Sequence, residues 1–225
     1  VTFFDEMLES SARAHGHMCA GQVIGVRMSF LGMSLLGFEL PLRLSDLKKL
    51  IVYVEMDRCA ADALAHTTGV KLGRRSLKYK DYGIMAATFV NMETNEAFRI
   101  ISTEEARDLV DEYAPKHLSK GEKQLEAYKA MPDSVLFSVQ KVDARISEFD
   151  LPGHTRRKVV CEKCGQMVRD HKEVILNGLT LCQPCANGGY FENPRPMSWD
   201  REDLSRASAK ARQKQLRQKP DFKIA

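Results

Sequence analysis

A chain of 225 residues with 44% hydrophobic content can bury one full core of about 150 residues and carry an appended module. Its net charge of +4 is uneven: residues 201–219 hold seven Lys/Arg against two acids, so the rest is near neutral and lacks the global signature of a nucleic-acid binder. The N-terminus has no basic leader running into an apolar stretch, and the most apolar segment, residues 23–38, is short and carries Arg27, so neither a secretory signal nor a membrane span is expected.

With no initiator Met, the numbering is expected to begin inside a longer chain. Phe3, Phe4, Met7 and Leu8 recur at helical spacing in a segment that His15-Gly16 breaks. After Gly21 a second, buried helix is expected to run to Gly37. Its Gly25, Ser29 and Gly32 form a small-residue stripe for close approach of another helix, either within the chain or across a subunit contact. Met18, Met28 and Met33 read as packing residues. Residues 49–56 are a β-branched run typical of a buried strand, and Asp57 is placed to cap a helix over 58–68. Strands follow at about 76–79, 85–91 and 97–101, with Asp81-Tyr82-Gly83 and Thr94-Asn95 as turns. A helix is expected from 102 to 113, another over 120–130, and a closing strand over 134–142. This order gives an α+β domain over 1–147, with N-terminal helices packed on a small mixed or antiparallel sheet. Residues 148–158 read as a linker around Pro152-Gly153, 159–190 as a small C-terminal zinc-ribbon or treble-clef-like finger, and 191–225 as a basic tail.

Four of the six cysteines form Cys161-x-x-Cys164 and Cys182-x-x-Cys185, separated by seventeen residues. That spacing is usual for four-cysteine zinc sites, where each pair turns two sulfurs toward one ion about 2.3 Å away. Gly165 suits the knuckle after the first pair, and Asn177-Gly178 is a strong hairpin signal between the pairs. Such a module has almost no core, so zinc supplies most of its folding free energy. Paired thiolates of this kind persist where reductants keep them reduced, which points to the cytoplasm.

The other two cysteines belong to a second constellation. His15, His17 and Cys19 alternate along the loop around Gly16, and His17 and Cys19 share one side of an extended loop. Cys59 opens the helix after the buried strand, where the helix N-terminal field is expected to lower its pKa. Asp57 lies at the strand end, and Asp62 and His66 follow on roughly one helix face. One imidazole with two thiolates suits zinc or another borderline-to-soft divalent ion with a position open. The candidate ligands are His17, Cys19 and Cys59, which are also the candidate catalytic groups, supported by His15, Asp57, Asp62 and His66.

The stretches HGHMCAGQVIGVRMS (15–29), VEMDRCAADALAHTTGVKLG (54–73) and LKYKDYGIMAATF (77–89) resemble the FmdE family, named after one component of tungsten/molybdenum formylmethanofuran dehydrogenase. The resemblance covers most of residues 1–145. It implies an α+β core that pairs into a homodimer, a His/Cys cluster in a cleft, and often a C-terminal zinc finger. The positions that match its motif are His15, His17, Cys19, Asp57, Cys59 and Asp62. Many members have Gly-Cys where this chain has Gly69-Val70, and Lys where it has Ile84, so a third thiol is missing. The family name comes from a complex whose catalytic cofactors reside on its other components, so substrate and reaction are not legible here. The leading expectation is a metal-binding protein with a His/Cys metal or redox cleft and a structural zinc finger, accessory to a molybdenum/tungsten enzyme partner or other redox metabolism. The alternatives are a nucleic-acid-binding or regulatory zinc-finger protein, with finger and tail on phosphates, and a non-catalytic adaptor.

Overall fold

The computed structural model describes residues 2–196. The basic run at 201–219, which the nucleic-acid alternative requires, lies outside the described residues. Cα packing divides the chain into two units: residues 1–158 with Arg169–His171, and residues 159–168 with those from 172 onward.

In the first unit α1 (Phe3–His15) begins in a capping box, with Thr2 accepting from the Asp5 N–H and Asp5 accepting from the Thr2 N–H. It ends at Gly16, whose φ of 104° is the left-handed cap that a side chain would strain. α2 (Ala20–Leu35) is buried around most of its circumference, which makes it the central helix. A short turn, α3 (Leu44–Leu47), leads into β1 (Leu50–Val54). Then come α4 (Cys59–Thr68), β2 (Leu77–Tyr79), β3 (Ala86–Asn91) and β4 (Ala97–Ser102). Asp57 does not cap α4: the cap position is Arg58, with no side-chain hydrogen bond, and Asp57 forms an exposed ion pair with Arg58 at 3.8 Å.

The helix expected over 102–113 is two pieces, α5 (Glu105–Asp108) and α6 (Val110–Tyr113), broken at Leu109. Asp108 faces like charges at Glu104, Asp111 and Glu112 three and four residues away, and β-branched Val110 follows the break, so a continuous helix has little support. α7 (Lys120–Ala130) starts in a Ser119/Glu122 capping box. The closing strand begins late: residues 133–136 form a helical turn, α8 (Asp133–Leu136), and β5 (Phe137–Lys141) follows. Arg27 of α2 holds this turn, donating to the carbonyls of Tyr128 (2.7 Å) and Met131 (2.5 Å) and pairing with Asp133.

The sheet is mixed, in the order β2-β1-β3-β4-β5. β1 and β2, joined through α4, run parallel, and the other pairs are antiparallel. Alternation splits its faces. Leu50, Val52, Val54, Ala87, Phe89 and Ile100 join the helix-side core, while Ile51, Val90 and Ala97 pack with Tyr53, Val142, Ile146 and Leu151 on the other side. On that second face Arg99 grips both oxygens of buried Glu55 at 2.7 Å.

The small-residue stripe is filled within the chain. A methyl on Gly25 would stand 2.5 Å from the Ala60 carbonyl oxygen, and one on Gly32 would stand 2.5 Å from the Phe89 ring. Met28 and Met33 are buried as expected, but Met18 lies on the loop between α1 and α2, outside the buried helix, and is 36% exposed.

From Lys158 onward come two short strand pairs, β6 (Lys158–Val160) with β7 (Met167–Arg169) and, antiparallel, β8 (Val174–Leu176) with β9 (Leu179–Leu181), then the short helix α9 (Gln183–Asn187). Asn177 and Gly178, at φ of 52° and 80°, make the two-residue turn between β8 and β9. Among the described residues no helix is long and apolar enough to cross a membrane.

Candidate functional site

The four finger sulfurs lie within 4.8 Å of one another. Cys161 and Cys164 sit on a knuckle closed by the Gly165 N–H on the Cys161 carbonyl (2.8 Å) and the Cys161 N–H on the Gln166 carbonyl (2.9 Å). Cys182 caps α9 and Cys185 lies in its first turn, the placement of a treble clef rather than of a ribbon. Cys164 and Cys182 sulfurs are 3.7 Å apart, which matches the roughly 3.8 Å edge of a tetrahedron with metal–sulfur bonds of about 2.3 Å. The Cys182 N–H, with those of Cys164 and Lys163, lowers the Cys161 thiol to about 6, while the crowd of sulfurs, Cys182 first, and burial push Cys185 up to about 12. The set fits a closed metal site such as zinc occupies. Cys161, Leu181 and Cys182 are its only buried core among the described residues of the unit, so a bound ion would do the work a core does elsewhere.

The second cluster is built where α1 ends and α2 begins. His15 closes α1, Gly16 turns the chain, and Cys19 is the extended cap of α2, with φ of −150°. This brings donor atoms of His15, His17 and Cys19 within 4.8 Å of one another, and the two imidazole rings to 4.8 Å between centroids. His15 Nδ1 lies 2.9 Å from the Asp62 carboxylate, so Nδ1 carries a proton and donates, and in the neutral ring the lone pair is on Nε2. That Nε2 is buried and has no hydrogen-bond partner. An orphaned imidazole nitrogen next to a second imidazole and a thiol, with its other nitrogen held by a carboxylate, is the arrangement of a metal-binding histidine. His17 is exposed on its loop and so the most adjustable of the three donors.

Cys59 adjoins this cluster through Cys19 without joining the mutual group. Its pKa moves opposite to expectation: burial first, then the hydrogen bond to Cys19, raise it, against a lowering hydrogen bond from its own backbone N–H. α2 and α4 touch closely here, since a methyl on Gly21 would stand 2.9 Å from the Cys59 Cβ. Asp62 supports His15, but two other expected supports do not reach the cluster. His66 hydrogen-bonds Ser10 at 2.9 Å, and Asp57 is 75% exposed against Arg58. A further participant, absent from the residues expected on sequence grounds, is Gln22. It is fully buried, accepts from the Ser11 hydroxyl (2.5 Å) and donates to the Cys59 carbonyl (2.8 Å), tying α1, α2 and α4 together behind the donors. Its signal in the sequence is a lone amide inside the apolar run of α2.

A family model described as FmdE, molybdenum formylmethanofuran dehydrogenase operon, matches residues 14–145. The chain belongs to the FmdE family. The matched span contains every donor of the N-terminal cluster and none of the finger cysteines. A curated relative from Archaeoglobus fulgidus, described as a probable S-adenosyl-L-methionine-binding protein, is 26% identical over 192 residues. That alignment takes in 79% of this chain but 51% of the relative, so the chain spans about half of its length. The crystal structure of a tungsten formylmethanofuran dehydrogenase FmdE-like protein from Syntrophus aciditrophicus superimposes with a TM-score of 0.54 at 17% identity, over 84% of this chain and 94% of that one. The likeness carries the FmdE fold.

Proposed function

We propose that the FmdE domain binds one divalent metal ion through His15 Nε2, His17 and Cys19, with Cys59 beside them as a further sulfur donor, and that the protein is a metal-dependent accessory of molybdenum, tungsten or other redox metabolism. The observation that carries this reading is the buried, unpartnered His15 Nε2, whose ring is fixed by Asp62 and whose neighbours are an imidazole and a thiol. A desolvated nitrogen lone pair costs free energy unless something takes it, and a cation does so. The mixed N/S donors favour zinc or a similar borderline ion. Held by His15, His17 and Cys19 alone, such an ion would have a position left for a further ligand and would supply Lewis acidity there. The chain's own residues orient the donors: Asp62 fixes the His15 tautomer, and Gln22 anchors the turn that carries Cys59. The four finger cysteines hold a separate structural ion, zinc by their all-thiolate chemistry. Their need for reduced thiols supports a cytoplasmic setting. A homodimer rests on the family resemblance alone, because the small-residue stripe is occupied inside the chain.

Elemental analysis of the anaerobically purified full chain tests the reading. The expected result is one ion for the finger and one for the cleft, with His15→Ala and Cys19→Ser each removing only the second. A metal content that neither substitution changes overturns it.

A further inference from the structure

The break at Leu109 and the loop 114–119 leave a concavity between α5–α6 and the start of α7. Its volume is about 570 Å³, inside the roughly 300–1,000 Å³ range of small-molecule sites. Lys120, Lys123 and Gln124, at i, i+3 and i+4, line it from α7, and Arg107, Val110 and Asp111 line it from the opposite side. Three cations thus face one carboxylate. Lys123 is bound to Asp111 and only 22% exposed, so its ammonium is fixed in the wall. Arg107 has only a loose, exposed pairing with Glu104 at 3.6 Å. Lys120 has no carboxylate within 4.0 Å among the described residues. Half-buried Val110 and Leu118 supply an apolar surface beside these charges.

We propose that this groove binds a small amphipathic organic anion, its apolar body against Val110 and Leu118 and its phosphate or carboxylate group between Arg107, Lys120 and Lys123. Cation placement dictates the anion: a neutral ligand would cover Lys120, which has no carboxylate partner, and Arg107, whose pairing with Glu104 is loose, whereas an anion gives both a charge-assisted partner. The apolar wall dictates the rest, since a bare inorganic anion would leave Val110 and Leu118 unused. The site is independent of the metal reading, because none of its residues belongs to the His/Cys cluster.

The test is fluorescence titration of the intact protein with anilinonaphthalene sulfonate, an apolar anion of suitable size, and with its uncharged counterpart N-phenylnaphthylamine. The expected result is saturable binding of the sulfonate and at least about tenfold weaker binding of the neutral dye, with Arg107→Ala/Lys120→Ala reducing the sulfonate to the same level. The exposed pair Arg13→Ala/Lys141→Ala removes equal charge elsewhere and leaves sulfonate affinity unchanged. Failure of the wild-type protein to bind the sulfonate, equal binding of the neutral dye, or retention by the Arg107→Ala/Lys120→Ala variant overturns the proposal.

Discussion

Substituting Gly25 with Ala tests the contact that sets the cluster's geometry. In an open helix the change stabilises by about 1 kcal/mol, because Gly carries the entropic penalty. Here the new methyl would stand 2.5 Å from the Ala60 oxygen and 2.6 Å from the Ala63 Cβ. Carbon pairs settle at about 3.5–4.0 Å, so α2 and α4 must part by roughly 1 Å. One obstacle is a backbone carbonyl, which no rotamer change moves aside, so the cost falls toward the upper end of the about 1–3 kcal/mol for overpacking. Overpacking of about 3 kcal/mol less about 1 kcal/mol of helix propensity leaves a net destabilisation of about 2 kcal/mol. The single Trp, Trp199, lies outside the described residues, so the assay is urea unfolding followed by far-UV circular dichroism. The expected midpoint shift is roughly 1 M downward. Gly121→Ala in α7, with nothing within 4 Å of the added carbon, is the control and shifts the midpoint little or upward. A Gly25→Ala midpoint at or above the wild type refutes the close packing of α2 on α4.

Three further outcomes follow from named contacts. Asp62→Ala frees His15 Nδ1, and the cleft's metal affinity, measured by chelator competition, drops about 10–100-fold while the finger is unaffected; an unchanged affinity removes Asp62 from the site. Gln22→Leu strands the Ser11 hydroxyl in the core and removes the link to the Cys59 carbonyl, for a loss of about 1–3 kcal/mol in urea unfolding, and a near-neutral result contradicts the buried network. Chelation unfolds the finger while the helical signal of residues 1–158 persists, and the finger's zinc affinity rises with pH through the neutral range. Zinc must displace the proton of Cys185, held near 12, whereas Cys161, near 6, is already a thiolate above that pH and adds proton competition only below it. A pH-independent affinity in that range runs against this assignment.

The features legible in the sequence are those written in local chemistry. The Asn177-Gly178 hairpin, the Gly165 knuckle and the β-branched run of β1 follow from turn and strand preferences that need no tertiary partner. Where structure and expectation part, distant residues decide. Residues 133–136 have strand-like content but coil into a turn because Arg27, more than a hundred positions away, binds Asp133. Asp57 has the chemistry of a cap, yet the chain leaves β1 in a direction that puts Arg58 there instead. The thiol of Cys59 shifts against its helix position because that position is visible in the sequence and its burial against Cys19 is not. His15 gains weight for the same reason, since only the fold reveals that its second nitrogen is desolvated and unpaired.

The two candidate metal-binding clusters differ in what an ion would have to do for the fold. The FmdE domain has a core of its own, from Val23 and Met28 through Phe89 and Leu136, and that core, not an ion, supplies its stability. Its His/Cys cluster sits at the junction of helix ends already fixed by Gly16, Gln22 and the Gly25 contact, so its placement needs no ion. Metal can then leave or be replaced without unfolding the domain, a condition that exchangeable or reactive ions require. The finger has the reverse balance: four sulfurs stand where a core would be, so its shape would depend on an ion held between them. A functional ion is therefore to be sought among His15, His17 and Cys19, and variants there should alter metal content or chemistry while the far-UV spectrum stays that of the wild type.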